Sequence, residues 1–430
     1  MDPESLIDKL KSMGVQLGAN HIPPSPEKPV QPSENGPLQQ HADPRYTIEK
    51  VVAGSHFTTV LGETFLTTDR YPLDHQHGSM PLCADPEMDV LAAWSQAARV
   101  LQTGGKNLVF LDTETSGLAG GTGTYAFLVG IGYRTADGFE LVQFFMRDPS
   151  EESALLAALD QWLSRFDVVV TFNGKSYDVP LLNTRYQING LTPPFGSYEH
   201  VDVLQIARKL WRDRLPSRAL GELEKEIVRF RRTNDEVPGW MIPQLYFDYL
   251  RSGDARPLAG VFYHNAIDIL TLAALFGYVA DLLKNPVRQE MVYGLDLASI
   301  ARLYEEMGWF EQAAGLYGRS LEQGDLPEPF FFKTIERYAR LHRRQNEWDR
   351  AVALWRIGAE HGMVSACVEL SKFYEHRERN PLEALNWARK AMENLEKMDI
   401  LDYPNKTLER EIQQRLGRLY QRTYRNFDQK

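Results

Sequence analysis

The spacing of apolar and polar residues predicts strands and helices in a mixed order. Residues 46 to 85 alternate with a period of two, as in "HFTTVLGETFLTT", and Gly62 and Glu63 are predicted to form a hairpin turn between two strands. Beyond Asn107, three buried strands ("NLVFLD", "TYAFLVGIGY", "FELVQFFM") precede a helix ("DPSEESALLAALDQWLSRF"), a fourth strand ("DVVVTFNG") and another helix ("VPLLNTRYQI"). This order predicts a mixed α/β sheet with flanking helices.

The last third of the chain carries a helical pattern that repeats weakly. "ARLYEEMGWFEQAAGLYGRSLEQG" at 301 to 324 aligns with "ARLHRRQNEWDRAVALWRIGAEHG" at 339 to 362, and residues 371 to 395 give a third copy. Small residues recur where paired helices would pack closely, at Ala313, Ala351 and Ala384. An all-helical repeat region is therefore predicted, and an ordinary helical bundle is the alternative.

These patterns divide the chain into four predicted segments. Residues 1–45 are an N-terminal segment and linker, since residues 19 to 45 are rich in Pro, Gln and Ser and cannot bury a core. Residues 46–100 are a small β element and a lead-in helix, 101–288 the α/β domain, and 289–430 the helical repeat domain.

Composition and charge narrow the classes of protein to consider. With only two cysteines in 430 residues and no leader-like N-terminus, a reducing, cytoplasmic location is expected. The most apolar stretch, "ILTLAALFGYVADLL", is short and contains Asp281, which predicts a buried helix and no membrane association. A net charge of −10 disfavours a protein that coats nucleic acid, although residues 208–232 hold nine basic residues against four acidic ones. That stretch is either a solvated helix face or a local contact for nucleic acid.

Two carboxylates end the first strand of the α/β domain. Asp112 and Glu114 in "FLDTETSGLAGGTGTYAFLVG" project from the same face of a strand, about 6 to 7 Å apart, and can share a divalent cation. The glycines that follow do not form a phosphate-binding loop, because Gly-Lys-Ser/Thr is absent and a strand follows in place of a helix. They allow either the close approach of a ligand or an ordinary flexible turn.

Two more acids lie at the start of helices farther along the chain. Asp178 in "TFNGKSYDVPLL" begins a helix just after a strand. Asp268 in "VFYHNAIDILTLAALF" has His264 four residues earlier and therefore on the same helical face. Each acid alone is an ordinary helix-start residue, but four acids at the edges of three separate segments indicate one site.

The order Asp-x-Glu, then Asn-x-x-x-x-Asp, then an aromatic residue or His shortly before Asp resembles the three exonuclease motifs of the DEDD superfamily. The extended patterns "LDTETSGLAGGTGTYAFLVG", "FNGKSYDVPLL" and "YHNAIDIL" are similar to a bacterial group with a ribonuclease-H-like exonuclease domain, here about 50 to 285. In that group tetratricopeptide-like repeats follow, here about 290 to 425. The members have either Tyr four residues or His five residues before the last Asp, whereas this chain has His264 and Tyr263 at those positions and matches neither subclass.

The resemblance implies a catalytic role for each motif residue. Two Mg²⁺ or Mn²⁺ ions would clamp an in-line phosphoryl displacement, with His264 orienting or deprotonating the attacking water. The metal ligands would be Asp112, Glu114, Asp178 and Asp268. The groups that bind the terminal nucleotide would be Asn173, Gly174, Tyr177, Gly117 and Tyr263.

The leading functional hypothesis is a 3′ to 5′ exonuclease that acts on a single-stranded end of DNA or RNA. The alternatives are a structure-selective endonuclease on the same fold, and a catalytically weak scaffold that recruits protein partners through its helical repeats. Four gathered carboxylates favour an enzyme, because a scaffold gains nothing from acids that repel each other.

Overall fold

The computed structural model describes residues 43, 45–97, 107–117, 123–233, 236–287, 293–398 and 406–427. The predicted N-terminal segment, most of the predicted linker and most of the glycine-rich loop after Glu114 lie outside the described residues.

A seven-stranded mixed sheet forms the centre of the α/β domain. Its strands lie in the order β1-β2-β7-β6-β5-β8-β9, where β5, β8 and β9 are parallel and the other neighbours are antiparallel. A separate two-stranded ribbon pairs β3 with β4. The strands are β1 (Ser55–Thr59), β2 (Gly62–Pro72), β3 (Gln76–His77), β4 (Met80–Pro81), β5 (Leu108–Thr115), β6 (Ala126–Arg134), β7 (Gly138–Phe145), β8 (Val168–Thr171) and β9 (Glu199–Asp202).

The hairpin predicted near residue 62 is present, but its turn lies two residues earlier than expected. Thr59 pairs with Gly62, so Val60 and Leu61 form the turn, and Gly62 and Glu63 begin strand β2. Val60 is 96% exposed, which shows that two apolar residues occupy a solvated turn. The hairpin joins the main sheet, because β2 pairs with β7 along its length.

Alternate residues of the central strand β5 pack against the two faces of the sheet. Leu108 and Phe110 contact the helix layer that contains Phe276, whereas Val109 and Leu111 belong to the opposite layer with Leu155. Both layers are therefore closed cores, which explains why the central strands read as continuous apolar runs. The period of two places Asp112 and Glu114 on the face of Leu108 and Phe110.

Helices cover both faces of the sheet. Before residue 290 they are α1 (Ile48–Val51), α2 (Asp89–Ser95), α3 (Glu152–Leu163), α4 (Asp178–Ile188), α5 (Val203–Trp211), α6 (Leu220–Leu223), α7 (Ile242–Ser252) and α8 (Leu258–Lys284). A π-helical turn extends α6 over Glu224–Val228, and short 3-10 turns occupy Pro149–Glu151, Pro194–Ser197 and Gly239–Met241.

Helix α8 is the long apolar helix expected from the sequence. By length and composition it is the one helix among the described residues that could cross a membrane, but 78% of its most apolar window is buried inside the protein. It packs against β5, β6 and β7. The burial confirms the prediction of a core helix and explains its apolar residues on every side.

The region after residue 290 is all helical, as predicted. Ala313, Ala351 and Ala384 are fully buried, which lets neighbouring helices approach closely at these positions. The first helix of this region packs against α5 of the α/β domain. The described helices are α9 (Gly294–Glu306), α10 (Phe310–Glu322), α11 (Glu328–Arg344), α12 (Trp348–Glu360), α13 (Val364–His376), α14 (Pro381–Met398) and α15 (Lys406–Phe427).

Candidate active site

The parallel strands β5, β8 and β9 bring their carboxyl ends to one edge of the sheet. Asp112 and Glu114 lie in the last half of β5, and Asp178 is the first residue of α4, which follows β8. Asp202 ends β9 at the same edge. Open α/β sheets bind ligands at this edge, so the fold gathers acids from separate segments at a position suited to chemistry.

A buried polar network holds Asp112 in place. Asn265 of α8 is fully buried and donates a hydrogen bond of 2.9 Å from Nδ2 to Oδ2 of Asp112. Its Oδ1 accepts from Gln143 of β7 at 2.9 Å, and Thr67 of β2 donates to Gln143 at 3.1 Å. Three strands and α8 therefore fix one carboxylate. Asn265 is a positioning residue that the sequence reasoning missed, although it stands next to His264 in the quoted motif.

Gly130 makes room for this network. It lies opposite Asp112 in the β5–β6 register, and a Cβ there would be 2.9 Å from Cγ of Asn265 and closer still to its Oδ1. Gly130→Ala is expected to destabilise the protein by roughly 1 to 3 kcal/mol through overpacking and to displace the partner of Asp112. Urea unfolding measures the loss, and Gly196→Ala, where nothing lies within 4 Å, is the control. Equal stability of the two variants would contradict this packing account.

Asp178 is oriented by Thr113, the residue between the two acids of β5. Thr113 Oγ1 donates to Oδ1 of Asp178 at 2.5 Å. The preceding loop is held by Asp202, which accepts from the backbone N–H groups of Asn173 at 2.8 Å and of Lys175 at 3.2 Å. Asp202 also caps α5, so one carboxylate holds both the loop and the start of this helix.

The residues expected to bind a nucleotide lie around this edge in different environments. Asn173 adopts a left-handed backbone with φ of 67°, and a Cβ at Gly174 would collide with Thr171. Tyr177 is 59% exposed, so its ring is free to contact a ligand. The hydroxyl of Tyr263 instead accepts a hydrogen bond of 3.1 Å from the backbone N–H of Thr233.

The backbone oxygen of Gly117 accepts from Thr115 Oγ1 at 2.9 Å at the end of β5. This bond fixes the start of the glycine-rich segment beside the carboxylates. Among the predicted nucleotide-binding residues, Gly117 stands nearest in sequence to Asp112 and Glu114.

Asp268 is paired with an arginine that the sequence analysis did not assign to the site. The Arg232 guanidinium donates to Asp268 and to Glu224 at 2.9 Å, and it lies 2.9 Å from Glu236. Glu224 also accepts a hydrogen bond of 2.7 Å from Thr271. Arg232 belongs to the basic stretch noted in the sequence, so part of that stretch is buried beside the carboxylates and is not a solvated helix face.

His264 lies beside Asp268, as the helical spacing predicts. Its Nε2 is 3.5 Å from Oδ2 of Asp268, and its Nδ1 is 3.1 Å from the carbonyl oxygen of Val237. The carbonyl of Val237 can accept only from a protonated Nδ1, whereas the Arg232 guanidinium can donate only to an unprotonated Nδ1. The guanidinium of Arg232 is 3.3 Å from Nδ1 and adds positive charge to this side of the ring.

Mutual repulsion and burial perturb the acids strongly. Burial, followed by the charges of Asp268, Asp178 and Glu114, raises the pKa of Asp112 well above its usual range. Burial and the charges of Asp268 and Asp178 likewise raise the pKa of Glu114, against a smaller opposite effect of Arg232. Burial raises the pKa of Asp178 to about 6, although its hydrogen bond from Thr113 acts in the opposite direction. The charges of Asp178 and Asp268 thus act on both Asp112 and Glu114, which places the four acids in one electrostatic environment.

Asp178→Asn is expected to stabilise the metal-free protein in a pH-dependent manner. The folded pKa of about 6 lies above the ordinary value of 3.8, so this carboxyl favours folding at low pH and loses that contribution as the pH rises through about 6. The variant should gain roughly 3 kcal/mol over wild type at about pH 8, and about half of that at about pH 5. Urea unfolding in EDTA tests this, with the exposed Asp160→Asn as control. A gain independent of pH would contradict it.

The donor set fits hard divalent cations, which prefer carboxylate oxygens. The acids repel one another, which contributes to their raised pKa values, and a bound cation would relieve this repulsion. No group of three His, Cys, Asp or Glu side chains converges as a ready cation site within the described residues. Asn265 and Thr113 each bond a single carboxylate oxygen, of Asp112 and of Asp178, and Arg232 pairs with Asp268, so protein groups hold these acids in the present arrangement.

Comparison with known proteins agrees with the fold. Residues 109–280 match the RNase_H_2 family of the RNase_H superfamily, which confirms the expected ribonuclease-H-like domain. The uncharacterized protein YprB of Bacillus subtilis (strain 168) is 30% identical over 339 residues, an alignment that covers 75% of this chain and 78% of YprB.

A solved structure with partial similarity is the family B DNA polymerase of Pyrobaculum calidifontis. The match has 16% sequence identity and a TM-score of 0.32, and it covers 47% of this chain and 29% of the polymerase. This chain therefore spans less than a third of the polymerase. A match at this level does not define an activity.

Proposed function

Because this chain belongs to the same protein family as YprB and carries an RNase_H superfamily domain, we propose that it is a metal-dependent nuclease. It would hydrolyse phosphodiester bonds of DNA or RNA as a 3′ to 5′ exonuclease. The observation that carries the proposal is that three separate segments bring Asp112, Glu114, Asp178 and Asp268 together at one edge of the sheet, where their charges repel one another.

Divalent cations held by these four carboxylates would supply Lewis-acid stabilisation of the attacking and leaving oxygens of the phosphate. Asp112, fixed by Asn265, and Asp178, fixed by Thr113, are the two ligands whose orientation the surrounding protein controls most closely. Orienting partners of this kind tune metal affinity. Mg²⁺ and Mn²⁺ both suit an oxygen-only donor set.

His264 is proposed to move the proton of the attacking water. Its Nε2 faces Asp268 and is unprotonated when Nδ1 donates to Val237, so it can accept a proton at that atom. Arg232 bonds Asp268 and also lies 3.3 Å from the His264 ring, and it would add a fixed positive charge near the reacting phosphate. Both groups come from the loop and helix that follow the sheet.

The substrate end is proposed to lie over the loop between β8 and α4. The exposed ring of Tyr177 offers a surface on which a terminal base can stack. The backbone of Asn173 and Gly174 approaches closely there, since Asp202 holds the loop against the sheet. The helical repeats, proposed to be tetratricopeptide-like, would serve to bind a partner or to position the substrate.

The experiment that tests the proposal follows 3′-labelled and 5′-labelled single-stranded DNA and RNA with Mg²⁺, with Mn²⁺ and in EDTA. The expected result is metal-dependent release of nucleoside monophosphates, with the 3′ label lost first. Loss of the 5′ label first would overturn the direction. No cleavage with either metal would overturn the enzyme and favour the scaffold hypothesis.

A further inference from the structure

A groove between the α/β domain and the C-terminal helices concentrates basic side chains. It encloses about 360 Å³ between the end of α5, helix α9 and helix α11, and a second hollow of about 220 Å³ continues from it along α11. The chain as a whole carries a net charge of −10, so the groove is positive in a protein that is negative overall. The basic residues that line it are Arg212, Arg302, Lys333, Arg337 and Arg340.

Helix α11 supplies a stripe of these cations. Lys333, Arg337 and Arg340 follow one another at intervals of four and three residues, which places them on one face of the helix. At the helical rise per residue, the stripe is about 10 Å long. A straight row of positive charge matches a linear polyanion better than a single small anion.

Acidic residues neutralise only part of the groove. Asp213 lies 3.5 Å from Arg212 and 3.6 Å from Arg302, and Glu305 lies 3.3 Å from Arg337. Glu336 also faces the groove. These pairs hold the walls of the groove in place, because they connect α5 with α9 and α9 with α11.

Two cations of the groove have no acidic partner among the described residues. They are Lys333, whose ammonium lies 5.0 Å from the ring centre of Phe330, and Arg340. The Nε of Arg340 is buried and has no hydrogen-bond partner in the described part of the chain, and Arg340 lines both hollows. A phosphate oxygen would satisfy this donor.

The groove also offers an aromatic ring beside its cations. Phe330 is half-buried on its wall, next to Lys333. Grooves that track single-stranded nucleic acids combine positive charge along the backbone with aromatic rings on which bases stack. An acidic peptide would use the cations but would gain less from the aromatic surface.

Helix α5 connects the groove with the candidate active site. Its first turn is capped by Asp202, which also holds the loop at Asn173, and its last residue precedes Arg212 of the groove. Nine helical residues span about 14 Å. A nucleic acid strand whose end lies at the carboxylates would therefore place the terminal nucleotides at the active site and later nucleotides in the groove.

We propose that this basic groove binds the phosphate backbone of a single-stranded nucleic acid behind the end that is cleaved. The inference rests on the proposed nuclease function. It assigns the helical region a direct part in substrate binding, in addition to any protein partner. Affinity should then depend on substrate length, and salt should weaken it through the cations of the groove.

The test measures fluorescence anisotropy of labelled single-stranded DNA of about five and about 25 nucleotides, in EDTA so that no cleavage occurs. The variants are Lys333→Gln, Arg340→Gln and both together. For the longer strand, the double variant should bind about tenfold or more weakly near 0.1 M salt, and its log–log salt slope should fall by about 1.4. The shorter strand should be almost unaffected.

The matched control is the double variant Arg319→Gln and Arg350→Gln, which removes two exposed charges outside the groove. An equal loss in this control would overturn the proposal, because the effect would then be one of net charge. Binding of poly-glutamate but not DNA to the groove would also overturn it. If Arg340→Gln fails to fold, the single variant Lys333→Gln still tests the groove, because Lys333 is exposed and its replacement should leave the fold intact.

Hydrolysis of the p-nitrophenyl ester of thymidine 5′-monophosphate separates this proposal from the proposed function. This ester is too small to reach the groove. The groove variants should hydrolyse it at the wild-type rate, and a loss of hydrolysis in them would overturn the separation of the two sites. Absence of ester and DNA cleavage in wild type, with groove-dependent DNA binding intact, would reject the nuclease and retain the groove.

Discussion

Asp112→Asn is expected to lower the metal-dependent rate of nucleotide release by about 1000-fold or more. Several kcal/mol of transition-state stabilisation come from cations at such sites, and each 1.4 kcal/mol or so is a factor of ten in rate. Asn keeps the volume of Asp and can accept the hydrogen bond from Asn265. The loss should therefore reflect a missing ligand charge and not a lost fold.

The same variant should be at least as stable as wild type in EDTA. Burial and three neighbouring acids raise the pKa of Asp112, so its charge opposes folding at neutral pH. Thermal unfolding in EDTA measures this, and the exposed Asp160→Asn serves as the control in both assays. A variant that loses activity together with stability would indicate a structural role, and one that retains activity would remove Asp112 from the catalytic machinery.

Arg232→Met is expected to lower the free energy of unfolding by about 3 to 5 kcal/mol. Its side chain is only 9% exposed, and it pairs with Glu224 and Asp268, whose side chains are 4% and 16% exposed. Removal of one partner leaves buried charge without compensation, which is far costlier than loss of a surface pair.

The neighbouring contacts strengthen this expectation. Glu224 also accepts from Thr271, which in turn bonds Nε2 of His77 at 2.8 Å. Burial lowers the pKa of His77 to about 4, so this ring is neutral near pH 7 and does not compensate Glu224. Among the described residues, Arg232 is therefore the only cation that pairs with this carboxylate.

Urea unfolding of Arg232→Met is best compared with Lys225→Met, which removes a 60% exposed cation from surface pairs with Glu222 and Glu226. The control should change stability by less than about 1 kcal/mol. The double variant Arg232→Met with Glu224→Gln should recover part of the loss. Similar stability of the Arg232 and Lys225 variants would show that the buried pairs contribute little.

Much of the fold follows from the sequence because its signals are local. The apolar runs of β5 and α8 predicted their burial, and the repeated small residues predicted close helix packing. The hairpin turn was misplaced because Gly62 has turn propensity, whereas cross-strand pairing put the apolar Val60 and Leu61 in the loop. Pairing of β2 with β7 connects residues far apart in sequence, which local patterns do not specify.

The candidate site was predictable only in part for the same reason. The acids stand in recognisable motifs, but the groups that orient them come from distant segments. Asn265 meets Asp112 across 153 positions of the chain, and Arg232 meets Asp268 across 36. Arg232 had one signal, its place in a basic stretch, but nothing in that stretch distinguished a buried arginine from a solvated one.

Titration calorimetry of Mn²⁺ binding to the metal-free protein tests most directly whether the four carboxylates form one metal site. The account predicts up to two ions bound per chain. It also predicts that Asp112→Asn or Asp268→Asn abolishes or strongly weakens this binding, whereas Asp160→Asn leaves it unchanged. Wild-type binding that neither site variant alters, or no binding at all, would contradict the central claim.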